Sequence, residues 1–144
     1  MRIAEHVRVQ APREQVWALV SDPARWPEFM EGLVMSEVLT PGPTAVGSRL
    51  ALRLHVGAAA LGGTVEVVEF QEPGDLAWNA VTGITMRGRW RLRERTPGRT
   101  EAELRLAYQA PGGFVAALAD RVAAPLVERR LRHSLEQLRE LVEA

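Results

Sequence analysis

Six strand-like runs follow one another from residue 34 to residue 109, and one long helical pattern then ends the chain. Clusters of Pro and Gly separate the runs at short, regular intervals, which predicts an antiparallel meander. The runs are Val34–Thr40, Ser48–Val56, Thr64–Gln71, Leu76–Val81, Ile84–Arg95 and Thr100–Gln109. A further run, Ile3–Gln10, alternates apolar and polar residues and predicts a first strand. We therefore expect an α+β fold with seven antiparallel strands, as a single domain over residues 1–144.

Two short helices are expected between the first and second strands. Pro12 stands where a first helical position is expected, because proline lacks the N–H that a helix start leaves unbonded. Asp22 and Pro23 repeat this start signal, with Asp22 as the N-cap. Pro27 should prevent the second helix from running long.

The segment Gly113 to Glu143 has the apolar spacing of one long amphipathic helix. Its ridge is formed by Val127, Leu131, Ser134, Leu138 and Leu141. The part before Pro125 is rich in Ala and Val, and these small side chains leave more room above the sheet. A curved sheet wrapped around this helix would enclose a space for a small molecule.

The strands agree on one apolar face and one polar face, as a half-covered antiparallel sheet requires. The run from Arg87 to Arg95 places five arginines on the polar face, and Glu101 and Glu103 of the next strand face the same way. Cross-strand ion pairs therefore explain the arginine row. Since no aromatic residues interleave with the arginines, we expect no nucleic-acid partner.

Composition excludes several kinds of chemistry. The chain has no cysteine and no lysine, so thiol nucleophiles, zinc–thiolate sites and Schiff bases are ruled out. Eighteen arginines balance eighteen acidic residues, and the three histidines lie in separate elements without metal-ligand spacing. We expect no metal and no other cofactor, no membrane insertion, a cytoplasmic location because no leader precedes the first strand, and a monomer or homodimer.

Three segments together resemble the START-like helix-grip (SRPBCC) superfamily, in its polyketide cyclase and lipid-transport group. They are Val9 to Asp22 followed by Arg25-Trp-Pro-Glu-Phe29, the stretch Glu66 to Trp78, and the helix end Ser134 to Glu143. The resemblance covers essentially the whole chain. It implies a helix-grip fold with a hydrophobic cavity between sheet and helix, and it leaves the reaction open.

The resemblance and the strand phases together predict a ligand-binding wall. The resemblance places Trp26, Phe29 and Met30 near the cavity. The inward phase of the strands and of the helix adds the other residues of the wall. The predicted set is Trp26, Phe29, Met30, Leu52, Leu54, Trp78, Met86, Trp90, Tyr108, Phe114, Leu118 and Val122. Tyr108 and Glu66 are the candidate proton donors or acceptors of this set. Glu66 qualifies if its strand turns it inward, whereas Val65 and Val67 face inward in the other phase.

Three functions fit these residues. The first is a non-catalytic carrier or sensor of a hydrophobic small molecule, which needs only an apolar cavity. The second is a polyketide aromatase/cyclase that promotes aldol closure and dehydration. Family cyclases commonly carry an inward Arg and Tyr where this chain has Gln71 and Leu33. This difference weakens the cyclase interpretation. The third, weaker hypothesis is a protein-binding module that uses the arginine face.

Overall fold

Seven strands and three helices follow one another in a computed structural model. The model describes residues 2–56, 58–83, 85–109 and 113–144, without the side chains of residues 56, 59, 109 and 113–123. The strands are β1 (Arg2–Val9), β2 (Leu33–Val38), β3 (Arg49–Val56), β4 (Ala59–Gln71), β5 (Asp75–Thr82), β6 (Thr85–Thr96) and β7 (Arg99–Gln109). The helices are α1 (Arg13–Val20), a 3-10 helix (Pro23–Glu28) and α2 (Gly113–Glu143).

The strands form one curled antiparallel sheet in the order β1-β7-β6-β5-β4-β3-β2. Strands β2 to β7 are a meander in which every strand pairs with the next one in the chain. The first strand instead pairs with the last, so α1 and the 3-10 helix connect the two edges of the sheet. The α+β helix-grip fold, with seven strands, two short helices after β1 and a long C-terminal helix, is confirmed.

The inner face of the sheet and the C-terminal half of α2 form the core. Alternate residues of the strands are fully buried there, and Leu131, Leu135 and Leu138 of α2 are buried opposite them. The fully buried strand residues include Leu50, Leu76, Trp90, Leu92 and Leu104. Leu141, expected on this ridge, is 41% exposed because the inward row continues from Leu138 to Val142, which packs against the core.

Hydrogen bonds from α2 fix the loop between the 3-10 helix and β2. The Ser134 hydroxyl accepts from the Glu31 backbone N–H and donates to the Arg130 carbonyl, both at 2.8 Å. The Arg130 guanidinium donates to the His55 carbonyl at 2.6 Å, and His133 Nδ1 lies 2.8 Å from a Glu31 carboxylate oxygen. The helix is thereby attached to the end of β3 as well as to the loop.

Strand β4 begins within a stretch for which the sequence predicts a turn. The stretch from Gly57 to Gly63 was expected to be a loop, but β4 begins at Ala59 and includes Gly62 and Gly63. A Cβ on Gly63 would lie 2.5 Å from the Thr82 carbonyl oxygen, so glycine here permits a close approach of two backbones. The two glycines therefore allow a strand to pass a tight neighbour.

A β-bulge determines which residues of β4 face inward. The register shifts between Val67, which opposes Trp78, and Glu69, which opposes Ala77. Val65 and Val67 are buried before the bulge, whereas Phe70 packs on the core after it. The phase with Val65 and Val67 inward is therefore correct up to the bulge. Of the other phase only Phe70 is inward, because Glu66 is paired with Arg49 and Val68 is exposed.

The start of α1 also differs from expectation. Pro12 is the N-cap and not the first helical residue, and it makes no side-chain capping bond. Glu94 of β6 instead accepts from the Arg13 backbone N–H at 2.6 Å and from the Gly98 N–H at 3.1 Å. These two hydrogen bonds lower the pKa of Glu94 below its ordinary value of 4.5. A strand side chain therefore caps the helix, in place of a residue next to it in sequence.

The Glu94 cap predicts a pH-dependent stability difference. Because the folded-state pKa is lowered, the contribution of the carboxylate is complete above pH 4.5 and is lost as pH falls through the folded-state value. Glu94→Gln should therefore lower the unfolding free energy at pH 7, and the difference from the unmutated protein should vanish as pH falls below the folded-state pKa. Urea denaturation across this range measures the difference. Glu37→Gln, on the exposed side of β2, is the control, and a pH-independent gap would contradict the assignment.

Candidate ligand-binding site

An apolar recess of about 40 Å³ lies on the inner side of the sheet, where β3, β4, β5 and β6 meet. Among the described lining residues none has an ionisable side chain, and the Thr82 hydroxyl lies 2.8 Å from that of Thr64. The recess is lined by Leu52, Leu54, Leu61, Gly62, Gly63, Val65, Ala80, Thr82 and Met86. Such a surface favours contact with apolar atoms and offers no charge to a ligand.

Three glycines create the room for this recess. Gly83, at the β5–β6 turn, has φ of +87°, and a Cβ on it would lie 2.6 Å from the Gly62 carbonyl oxygen. Gly63 lies against Thr82 in the same way. The backbones of β4 and of the turn therefore touch where other strands would insert side chains. The space that those side chains would fill is left beside Leu61 and Met86.

Three of the predicted wall residues line this space, and a fourth lies on the strand beside one of them. Leu52, Leu54 and Met86 line the recess, and Tyr108 lies directly opposite Met86 in the β6–β7 register. Tyr108 is half-buried and packs against the core. It therefore extends the wall toward β7 and brings a phenol hydroxyl to an apolar surface. The predicted set omitted Leu61, which lies where a turn was predicted, and Ala80 of a predicted strand. Val65 faced inward in only one of the two predicted phases.

The predicted aromatic residues form a packed cluster behind the recess. The rings of Trp26 and Trp78 are 5.2 Å apart, and those of Phe29 and Trp90 are 6.1 Å apart. All four side chains are at most 3% exposed, and Met30 packs beside them half-buried. The Trp26 indole donates to the Val20 carbonyl at 2.9 Å. The cluster therefore supports the wall from within the core.

Buried polar atoms without partners face this inner side. Among the described residues, the indole N–H groups of Trp78 and Trp90 and the Ser36 hydroxyl make no hydrogen bond. Ser36 opposes Leu52 across β2 and β3, on the same face as the recess. Leaving such groups unsatisfied costs about 1–3 kcal/mol each. Each of these atoms is fully buried, so it is an unsatisfied polar group of the packed interior.

Glu66 does not join this wall. Its neighbours Val65 and Val67 face inward, and its carboxylate lies 3.4 Å from the Arg49 guanidinium, with about a third of the side chain exposed. The structure therefore separates Glu66 from Tyr108, the other candidate proton donor or acceptor. The side chains of Phe114, Leu118 and Val122 lie outside the described residues.

The arginine row finds its acidic partners on a different strand from the one expected. Asp75 of β5 lies 3.6 Å from Arg89, 3.9 Å from Arg91 and 3.1 Å from Arg93. Glu69 of β4 bonds Arg89 at 2.5 Å and raises the pKa of that guanidinium. Glu103 pairs with Arg105 of its own strand. The face is ion-paired as expected, but mainly toward β4 and β5 because the Asp75 carboxylate lies among three guanidinium groups.

The described residues show neither a metal cluster nor a membrane span. Over the described ranges, no three His, Asp or Glu side chains are grouped to hold a metal ion. No helix in the same part of the chain has the length and apolar character that crossing a bilayer requires.

Solved structures share this fold. A protein of Thermus thermophilus superposes with a TM-score of 0.84 at 16% identity, over 99% of this chain and 97% of the other. The Zhui aromatase/cyclase of Streptomyces sp. R1128 gives 0.81 at 22% identity, over 99% and 93%. A START superfamily protein of Mycobacterium smegmatis gives 0.74 at 17% identity, over 99% and 97%. No curated protein matches the chain.

A long helix held by a curled antiparallel sheet, with an apolar recess on the inner face, defines the START-like class. A family model described as polyketide cyclase/dehydrase and lipid transport matches residues 1–143. The protein therefore belongs to that family, which includes both enzymes and binding proteins by its description.

The contact between Trp78 and Gly88 predicts a sharp difference between two glycines. A Cβ on Gly88 would lie 2.0 Å from Cζ2 of Trp78, so Gly88→Ala should displace the indole and destabilise the fold by about 1–3 kcal/mol. At Gly62 the nearest atom would be 3.5 Å away, so Gly62→Ala should cost less than about 1 kcal/mol. Urea denaturation measures both. Equal losses would show that the Trp78–Gly88 contact is not tight.

Proposed function

We propose that this protein binds a hydrophobic small molecule on the inner face of its sheet, as a carrier or sensor. The main support is the lining of the recess, whose described residues are apolar or glycine apart from Thr82. Burial of apolar ligand surface there contributes about 25 cal/mol per Å² before the cost of ordering the ligand. The proposed site comprises the recess, Tyr108 and the part of α2 that faces them, within one domain over the whole chain.

The location of Glu66 supports binding over catalysis. Aldol closure and dehydration require proton transfer by groups within hydrogen-bond reach of the ligand. Tyr108 is the described candidate that borders the recess, while Glu66 is ion-paired to Arg49. A single phenol beside an apolar wall suits orientation of a ligand carbonyl better than a two-group acid–base reaction.

The alternative is a polyketide aromatase/cyclase. The family description supports it, and so does the placement of the Tyr108 phenol beside Met86 on the wall. In that case Tyr108 would donate a proton to a ligand carbonyl. The same cavity would serve both functions. An assay of turnover therefore distinguishes the carrier from the cyclase, whereas an assay of binding does not.

The proposed site predicts that a polar substitution at Leu54 lowers the affinity for a hydrophobic dye. Leu54→Gln places an amide on the apolar wall, and the affinity for Nile red should fall about tenfold because that amide must lose its water. Fluorescence titration measures the dissociation constant. Leu39→Gln, at a position 51% exposed, is the matched control and should leave it within about twofold. Equal effects of the two substitutions would place the dye elsewhere.

The Tyr108→Phe variant distinguishes a carrier from a cyclase. For a carrier, loss of the hydroxyl should change the affinity for an apolar probe by less than about threefold, because the ring remains. The same variant should be compared with the unmutated protein for conversion of a linear poly-β-ketone, followed by mass spectrometry. Turnover by the unmutated protein that Tyr108→Phe abolishes without loss of binding would replace the carrier by the cyclase. Trp90 is unsuitable for this test, because it is fully buried and its removal would measure stability.

A further inference from the structure

A second and larger depression lies on the opposite, outer face of the sheet. It has a volume of about 550 Å³ and crosses β1, β7, β6, β5 and β4. This volume lies in the range of about 300–1,000 Å³ that small-molecule sites occupy. We call it the outer trough. It is separate from the inner recess, so its role does not depend on the function proposed for the inner face.

Small residues form the floor of the outer trough. Ala107 of β7 and Ala77 of β5 lie where neighbouring positions carry arginine, so the surface is lower there. Val68, the extra residue of the β4 bulge, is 42% exposed at one end and adds an apolar side chain. The bulge that settles the phase of β4 therefore also presents a valine to solvent.

Two arginines of the trough lack an acidic partner. Arg89 is paired with Glu69 and Asp75, and Arg105 is paired with Glu103. Among the described residues, neither Arg2 nor Arg87 forms an ion pair within 4.0 Å. These two arginines are the uncompensated positive charge of the outer trough.

The register places the two unpaired arginines on either side of one alanine. Arg2 of β1 and Arg87 of β6 both oppose Ala107 of β7. Neighbouring strands are about 4.8 Å apart, so the two arginine backbones flank a gap of about 10 Å with only a methyl group between them. Asn79 opposes Arg87 on the next strand and adds a side-chain amide. Two cations and an amide thus surround a shallow position that suits an anion.

We propose that the outer trough binds a small amphiphilic anion. A carboxylate or an equivalent anionic head lies over Ala107 between the Arg2 and Arg87 guanidinium groups, with the Asn79 amide donating to it. The apolar body extends across Ala77 toward Val68. Charge complementarity selects the head, and the apolar floor selects a ligand with a hydrocarbon body over a bare anion.

Two residues that occur once in the chain allow each face to be followed separately. Asn79 is the single asparagine and lies in the outer trough, and Tyr108 is the single tyrosine and borders the inner recess. Protein labelled with ¹⁵N-asparagine gives one side-chain amide signal pair for the trough. Protein containing 3-fluorotyrosine gives one ¹⁹F signal for the inner wall.

The experiment titrates both labelled proteins with octanoate, 1-octanol and sulfate. Octanoate should shift the Asn79 amide signals saturably, and octanol should leave them in place whatever it does at Tyr108. Sulfate should need a clearly higher concentration than octanoate for the same shift, because it has no apolar body. Arg87→Gln should weaken octanoate binding at Asn79 about fivefold or more, since it removes a charged hydrogen-bond donor. Arg95→Gln, which removes an exposed arginine near the end of β6, is the matched control and should leave the midpoint unchanged.

Four results would overturn the proposal. In the first, octanoate moves the Tyr108 signal and leaves Asn79 unmoved, so the anion occupies the inner face alone. In the second, octanol shifts Asn79 as octanoate does, so the arginines do not select charge. In the third, sulfate matches octanoate, so the floor contributes nothing. In the fourth, Arg87→Gln and Arg95→Gln have equal effects, so Arg87 has no particular role. Unchanged circular dichroism melting curves confirm that both variants are folded.

Discussion

The contact of the Trp78 indole with the backbone of Gly88 organises the inner side of this protein. The two residues oppose each other on β5 and β6, and the missing side chain of the glycine lets the ring lie against the neighbouring strand. Trp26 packs against the Trp78 ring from the other side, and its indole donates to the Val20 carbonyl. One aromatic contact thus connects the sheet, the 3-10 helix and the end of α1. Because interiors are close-packed, the surfaces that surround this cluster depend on its placement.

The inner recess lies where that close packing stops. Gly62, Gly63 and Gly83 bring two backbones together and supply no side chains to fill the space beside them. Elsewhere on the inner face the largest fully buried side chains include Trp90, Leu50, Leu76 and Leu104. The protein therefore combines a rigid aromatic core with a site that glycine keeps open. A binding site benefits from this arrangement, since a wall held by packed neighbours loses little conformational freedom when a ligand enters.

The sequence predicts the strands and the long helix because both have simple periods. Alternation places Leu50, Trp90 and Leu104 inward correctly, and the apolar spacing of α2 places Leu131 and Leu138. Prediction fails where one residue breaks the period or where contacts are distant in sequence. The bulge after Val67 divides β4 into two phases, which no alternation rule can locate in advance.

The candidate site was predictable only in part for the same reason. Leu52, Leu54 and Met86 follow from alternation, and the structure places them together in the recess. The recess itself depends on glycines that touch backbone across strands, a long-range contact that local patterns represent as a turn. Distant pairing also explains the cap of α1, because Glu94 is 81 residues from the Arg13 N–H to which it is bonded.

The two faces of the sheet divide its apolar and charged residues in a way that bears on function. On the outer face Asp75 lies within ion-pair distance of Arg89, Arg91 and Arg93, and Glu69 also pairs with Arg89, so much of the arginine row is neutralised from β4 and β5. Arg87 belongs to the same row, but it opposes Asn79 and Ala107, neither of which carries charge. Its guanidinium therefore has no internal carboxylate within reach among the described residues, although the chain as a whole has zero net charge. Exposed arginines are common, but two that flank an alanine above an apolar floor combine charge with a surface to which hydrocarbon can bind. In the two proposals the inner face binds by apolar shape and the outer trough binds a negative head, so one sheet would present two sites with different chemistry.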